Sequence, residues 1–140
     1  MSINEIQDEI IQEFSAFDDW MDKYAYLIEL GNGMQEMQKD YKIDKNLIDG
    51  CQSKVWFNAE LVDGKILFTA DSDAIITKGI ASLLKRILSG QTPEDILNAE
   101  LYFIEKTGLQ QHLSPTRSNG LMSMVKQLKL YALAYKSISK

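Results

Sequence analysis

A chain of 140 residues, 45% of them hydrophobic, is long and apolar enough to bury one core, too short for two ordinary domains and too apolar for disorder. Its net charge is −5 and its 15 Lys and Arg are spread along the chain, so there is no basic stripe for a polyphosphate and nucleic acid is not an expected partner. No run reaches the roughly 18 apolar residues that span a bilayer. The start MSINEIQDEIIQEF is acidic and amphipathic, unlike a secretory signal, and one cysteine cannot close an internal disulfide, so a cytoplasmic protein with a free thiol is expected.

In chain order, Ile3, Ile6, Ile10 and Phe14 recur at helical spacing and predict a first helix to about Ser15. Asp18 or Asp19 is placed to cap a second helix that carries Trp20, Tyr24, Leu27 and Ile28 and ends at Gly31. The stretch GNGMQEMQKDYKIDKN reads as a loop with at most a helical turn.

From Lys54 the apolar period becomes two. An Asp63-Gly64 hairpin would pair Leu61 with Ile66, Ala59 with Phe68 and Phe57 with Ala70, all apolar, leaving Glu60 with Leu67 and Asn58 with Thr69 on the other face. A two-stranded ribbon alone is marginal, so KNLID before Gly50 is the candidate third strand.

A helix follows, with an Asp or Ser cap within Asp71-Ser72-Asp73, a face of Ile76, Ile80, Leu83, Leu84, Ile87 and Leu88, and a stop at Ser89-Gly90. Thr92-Pro93-Glu94-Asp95 reads as cap, N1 proline and acidic first turn. A short helix is expected from Tyr102 to Thr107. The last helix carries Leu121, Met124, Val125, Leu128, Tyr131, Ala132 and Tyr135, with Ser118 as its cap. The order implies one domain over residues 1–140, of α+β class, in which a small antiparallel β-sheet of about three strands packs against several helices.

Chemistry-bearing residues are few. Cys51 lies in IDGCQSKVW, flanked by Gly50 and Gln52 rather than set in an apolar run, which leaves a reactive thiol and a buried structural one both open. Lys54 would lower its pKa and Asp49 would oppose that. His112, the single histidine, would make a thiol hydrolase only if its imidazole touched Cys51. One Cys and one His make a poor metal set, and Asp71 and Asp73 suit helix capping better than calcium. In HLSPTRSNG, Arg117 is a cation near a helix N-terminus, where the dipole disfavours it; it is placed for an anion or a partner. The glycines of GNG lack a phosphate-loop context.

Three stretches, IDGCQSKVW, ADSDAIITKGI and QHLSPTRSNGL, occurring in that order with ELGNGM and TPEDILN, resemble the SufE family, sulfur acceptors of iron–sulfur cluster assembly that include CsdE. The resemblance spans nearly the whole chain and implies a SufE/NifU-like fold. It also implies that Cys51 takes persulfide sulfur from a SufS-like cysteine desulfurase, stimulates that enzyme by draining it, and delivers the sulfur to a SufB/SufBCD-like scaffold. The pyridoxal phosphate (PLP) then resides in the desulfurase and this chain carries no cofactor of its own. Gly50, Gln52, Asp73, His112 and Arg117 are the implied supporting residues, with Trp56 and Phe57 as expected walls sheltering the sulfur. The competing readings are a Cys51–His112 hydrolase and an adaptor with an incidental thiol; monomer and homodimer both remain open.

Overall fold

A computed structural model describes residues 1–138. Helix α1, Ile3–Ser15, starts at a capping box: the Ser2 hydroxyl accepts from the Glu5 amide and the Glu5 carboxylate accepts from the Ser2 amide. Its buried face is Ile3, Gln7, Ile10 and Phe14. Helix α2, Trp20–Asn32, is capped by Asp19. It runs past Gly31, the expected stop, because that glycine is a contact point.

Helix α3, Ile75–Leu88, crosses α2 backbone to backbone. A Cβ on Gly31 would stand 2.8 Å from the Gly79 nitrogen, and one on Gly79 would stand 2.2 Å from the Leu27 carbonyl oxygen. No side chain fits between the two helices there. Helix α3 is the hub of the fold: Ile80, Leu83, Leu84, Ile87 and Leu88 are each at most 1% exposed, and it meets α1, α2 and the sheet. Arg86 near its end bridges to Glu9 and Glu13 of α1. The guanidinium beside Glu13 holds that carboxyl below its ordinary pKa.

Strands β1, Val55–Val62, and β2, Lys65–Ser72, pair in the register expected from the apolar alternation: Leu61 opposite Ile66, Ala59 opposite Phe68, Phe57 opposite Ala70. Both turn residues take positive φ, Asp63 at 53° and Gly64 at 78°, the geometry of a tight hairpin turn. The third strand does not form among the described residues. KNLID supplies a single bridge, Leu47 to Trp56, after two short 3₁₀ turns at Lys39–Tyr41 and Asp44–Asn46.

Both edges of the ribbon are closed by other groups. On β1 the Tyr131 and Tyr135 hydroxyls donate to the carbonyls of Phe57 and Ala59, at 3.3 and 2.8 Å. On β2, Ile66 exchanges hydrogen bonds with Gly90 and Gln91, and the Phe68 amide donates to Ser89 Oγ. These contacts satisfy the edge that a third strand would otherwise cover.

The expected side-chain cap of α3 is also absent. Its N-cap is Ala74, with no side-chain hydrogen bond, because Asp71 and Asp73 are engaged elsewhere. Helix α4, Pro93–Asn98, is capped by Thr92 as expected. Helices α5, Phe103–Lys106, and α6, Leu109–His112, are single turns separated by Gly108, and the second was not foreseen.

Helix α7, Pro115–Ile138, begins earlier than the apolar pattern suggests. Ser114, not Ser118, sits at its start: its hydroxyl accepts from the Arg117 amide at 3.3 Å and its carbonyl from the Ser118 amide at 2.9 Å. Pro115 then takes the first helical position, as Pro93 does in α4.

The α2–α3 crossing carries a stability prediction. Gly79→Ala should destabilise the protein by about 3 kcal/mol, the upper range for overpacking, because the group struck is backbone and cannot rotate away. Urea unfolding reads this as a lower midpoint at unchanged slope. A midpoint equal to the parent's would mean that the helices do not cross this closely.

Candidate functional site

The loop between the 3₁₀ turns and β1 is closed at its base and presents Cys51. Ile48 is buried and its amide donates to the Val55 carbonyl at 2.9 Å. At the other side the Lys54 amide donates to Asp73 Oδ1 at 3.0 Å, and the Lys54 carbonyl accepts from Ser72 Oγ and the Asp73 amide, at 2.8 and 3.1 Å. Asp73 is thus a clamp on the loop.

Gly50 is required twice over. Its φ is +88°, and a Cβ would stand 2.6 Å from Ser123 Oγ on α7. Cys51 follows and lies against the second turn of the same helix. Its thiol donates a weak hydrogen bond to the Gly120 carbonyl, Sγ to O 3.6 Å, and a Cβ on Gly120 would sit only 3.3 Å from the sulfur.

The thiol opens on a cavity of about 340 Å³. The loop contributes Cys51, Gln52 and Ser53 to it, and α3 contributes Thr77. Ser114, Thr116, Arg117, Gly120 and Met124 close it from the start of α7. Arg117, in the first turn of α7, is exposed at this site. Cys51 is half-buried, and burial pushes its thiol above the ordinary cysteine pKa. The lowering expected from Lys54 is not found, and desolvation is what acts on the sulfur.

Trp56 and Phe57, expected as walls, stand elsewhere. Phe57 is fully buried in the core. Trp56 pairs with Asp71 across the ribbon and has the Lys42 ammonium 5.7 Å from its ring centroid. Asp71 itself is buried and holds Lys42 and Lys78, at 2.9 and 3.5 Å. Burial drives its carboxyl up in pKa, but Lys42, the Ser72 amide and Lys78 together bring it below the usual range.

His112 does not border the cavity. Its ring stacks on Trp20 at 4.1 Å between centroids, its Nδ1 is 3.0 Å from the Gly108 carbonyl oxygen, and its own carbonyl accepts from the Tyr24 hydroxyl. The structure therefore brings Gly50, Cys51, Gln52 and Arg117 to one place, sets Asp73 behind them as a clamp, and leaves His112 outside. Thr77, Ser114, Thr116, Ser123 and Met124 were not foreseen. Ser114-Pro115 repeats the Thr92-Pro93 cap signal, and Thr77 is a hydroxyl within an apolar helix; the others carry no local mark.

These features define a class: an α+β protein whose single thiol sits half-buried in a loop, at a cavity closed by a helix start. The comparisons sharpen it. A family model, the Fe-S metabolism associated domain SufE, matches residues 8–132. An uncharacterized SufE-like protein of Synechocystis sp. is 37% identical over 126 residues, covering 90% of this chain and 79% of its own. The solution structure of a hypothetical protein from Thermus thermophilus shares the fold, with a TM-score of 0.77 at 20% identity over 96% of this chain and 97% of the other. The chain belongs to the SufE family. Membership places it in iron–sulfur metabolism and implies a cysteine desulfurase as partner.

Two outcomes follow for the isolated protein. Cys51 should react with iodoacetamide more slowly at neutral pH than a peptide thiol, with its alkylation midpoint above the ordinary cysteine value, and urea should abolish the difference. Equal rates in folded and unfolded protein would refute the sheltering. Asp73→Ala, by releasing the loop, should raise the folded protein's alkylation rate severalfold; an unchanged rate would show that the clamp does not hold Cys51 in place.

Proposed function

We propose that Cys51 accepts sulfane sulfur from the persulfide of a SufS-like cysteine desulfurase, carries it as its own persulfide, and passes it to a SufB/SufBCD-like assembly scaffold. The observation that carries this reading is the placement of a lone half-buried thiol in the lining of a cavity of about 340 Å³, which has room for a second sulfur.

The chemistry balances without an added oxidant. The Cys51 thiolate attacks the outer sulfur of the desulfurase persulfide, a new S–S bond forms, and the desulfurase cysteine leaves as thiolate. An acceptor thiolate later attacks the outer sulfur on Cys51 and releases the Cys51 thiolate. Draining the desulfurase in this way stimulates it, and PLP stays in that enzyme.

The residues support the role in two further ways. The chain contains one cysteine, so no internal thiol is present to collapse the persulfide into a disulfide and discharge sulfide. One cysteine also falls short of the roughly four ligands that hold a cluster, which favours carrier over scaffold. The raised thiol pKa keeps the resting sulfur protonated and slow to oxidise, and docking of the desulfurase, by opening the clamped loop, would deliver it to solvent or to the partner. The hydrolase reading lacks its base at the thiol, since His112 is held against Trp20.

Incubation with a cysteine desulfurase, its PLP and cysteine should add about 32 Da per sulfur to this chain, and Cys51→Ser should add nothing. An unmodified parent chain would leave the adaptor reading in its place.

A further inference from the structure

Thr77, in the first turn of α3, is 7% exposed and borders the Cys51 cavity, yet its hydroxyl has no hydrogen-bond partner among the described residues. A threonine in a helix ordinarily returns its proton to a carbonyl one turn back, and a buried hydroxyl is rarely left unpaired. The hydroxyl is not sealed in, however. The sealed, unpartnered side-chain oxygen among the described residues is Thr69 Oγ1, whereas Thr77 retains a little surface, and the space it borders is the cavity.

The remaining polar groups at the cavity differ from it. Arg117, the one charged group among the described lining residues, is exposed, as are Gln52 and Thr116; Ser53 is only half-buried, and the Ser114 hydroxyl is engaged by the Arg117 amide. The idle buried donor is therefore on α3, across from the start of α7.

We propose that the Thr77 hydroxyl donates a hydrogen bond to the outer sulfur of the Cys51 persulfide and so holds the carried sulfur inside the cavity. The inference rests on the carrier reading above. A loaded persulfide places an anionic sulfur in a half-buried space, and a hydroxyl proton that rotates freely is suited to meet it. No bond is made or broken by Thr77. Its hydrogen bond stabilises the anionic form of the persulfide over the protonated one, while Arg117, exposed in the same lining, supplies a screened charge.

The full chain is loaded in two ways, with inorganic polysulfide and with a cysteine desulfurase plus cysteine. The pH dependence of persulfide alkylation by iodoacetamide is then read by mass spectrometry. In Thr77→Val the alkylation midpoint should rise, so that at a pH below it the alkylated fraction falls about threefold, whereas Thr77→Ser should behave as the parent. Unloaded Thr77→Val should be at least as stable as the parent in urea, because an isosteric apolar group replaces an unpaired hydroxyl. Thr77→Ala should show the same shift in midpoint and serves if Thr77→Val folds poorly. A parental midpoint in the folded variants overturns the role of Thr77. Loading by polysulfide but not by the desulfurase overturns the carrier reading alone, and no loading by either overturns both.

Discussion

The close approach of the Cys51 loop to the backbone of α7 is the constraint on which the site depends. Gly50 and Gly120 remove the two Cβ atoms that would hold loop and helix apart, one from Ser123 Oγ and the other from Cys51 Sγ. With both absent, the half-buried thiol rests on a helix carbonyl, and its pKa rises because the thiolate loses part of its hydration. The half-burial of the thiol follows from that contact, and the cavity beside it is closed by the same helix start that carries Arg117. Asp73 completes it by tying Lys54 to the start of α3, so that loop, sheet and two helices meet around a single sulfur.

The same economy of backbone contact appears elsewhere. Helices α2 and α3 touch through Gly31 and Gly79, and this lets α3 sit deep enough to serve the strands, α1 and α2 at once. The ribbon survives with two strands because its edges are closed by tyrosine hydroxyls from α7 on one side and by the chain leaving α3 on the other. A ribbon this short is marginal in water on its own, so its persistence is a property of the helices around it. Tyr131 and Tyr135 also tie α7, the helix that floors the site, to the strand that follows the Cys51 loop.

Much of this was legible beforehand because it is local. The hairpin register, the Asp63-Gly64 turn, the Thr92-Pro93 cap and the buried face of α3 are each written in spacing or in a dipeptide. The motifs around Cys51 and Arg117 pointed to the family, and the structure sets those two residues at one cavity. Where reading failed, a distant partner had intervened. Asp71 and Asp73 look like helix caps until Lys42, Lys78 and Lys54 claim them. KNLID looks like a strand until tyrosines occupy the edge it would have paired with.

The sequence by itself determined the longer helices, the pairing of the hairpin and the presence of one thiol among glycine and polar neighbours, since each of these depends on residues a few positions apart; the third strand it suggested did not form, and α6 carried no local signal. Tertiary structure alone decided that Cys51 meets Gly120 and shares a cavity with Thr77 while His112 goes to Trp20. These placements bring together residues 69, 26 and 92 positions apart in the chain, respectively, and no periodicity spans such separations. The protonation of the thiol belongs to the same category, because desolvation is set by what packs over the sulfur and not by what flanks it.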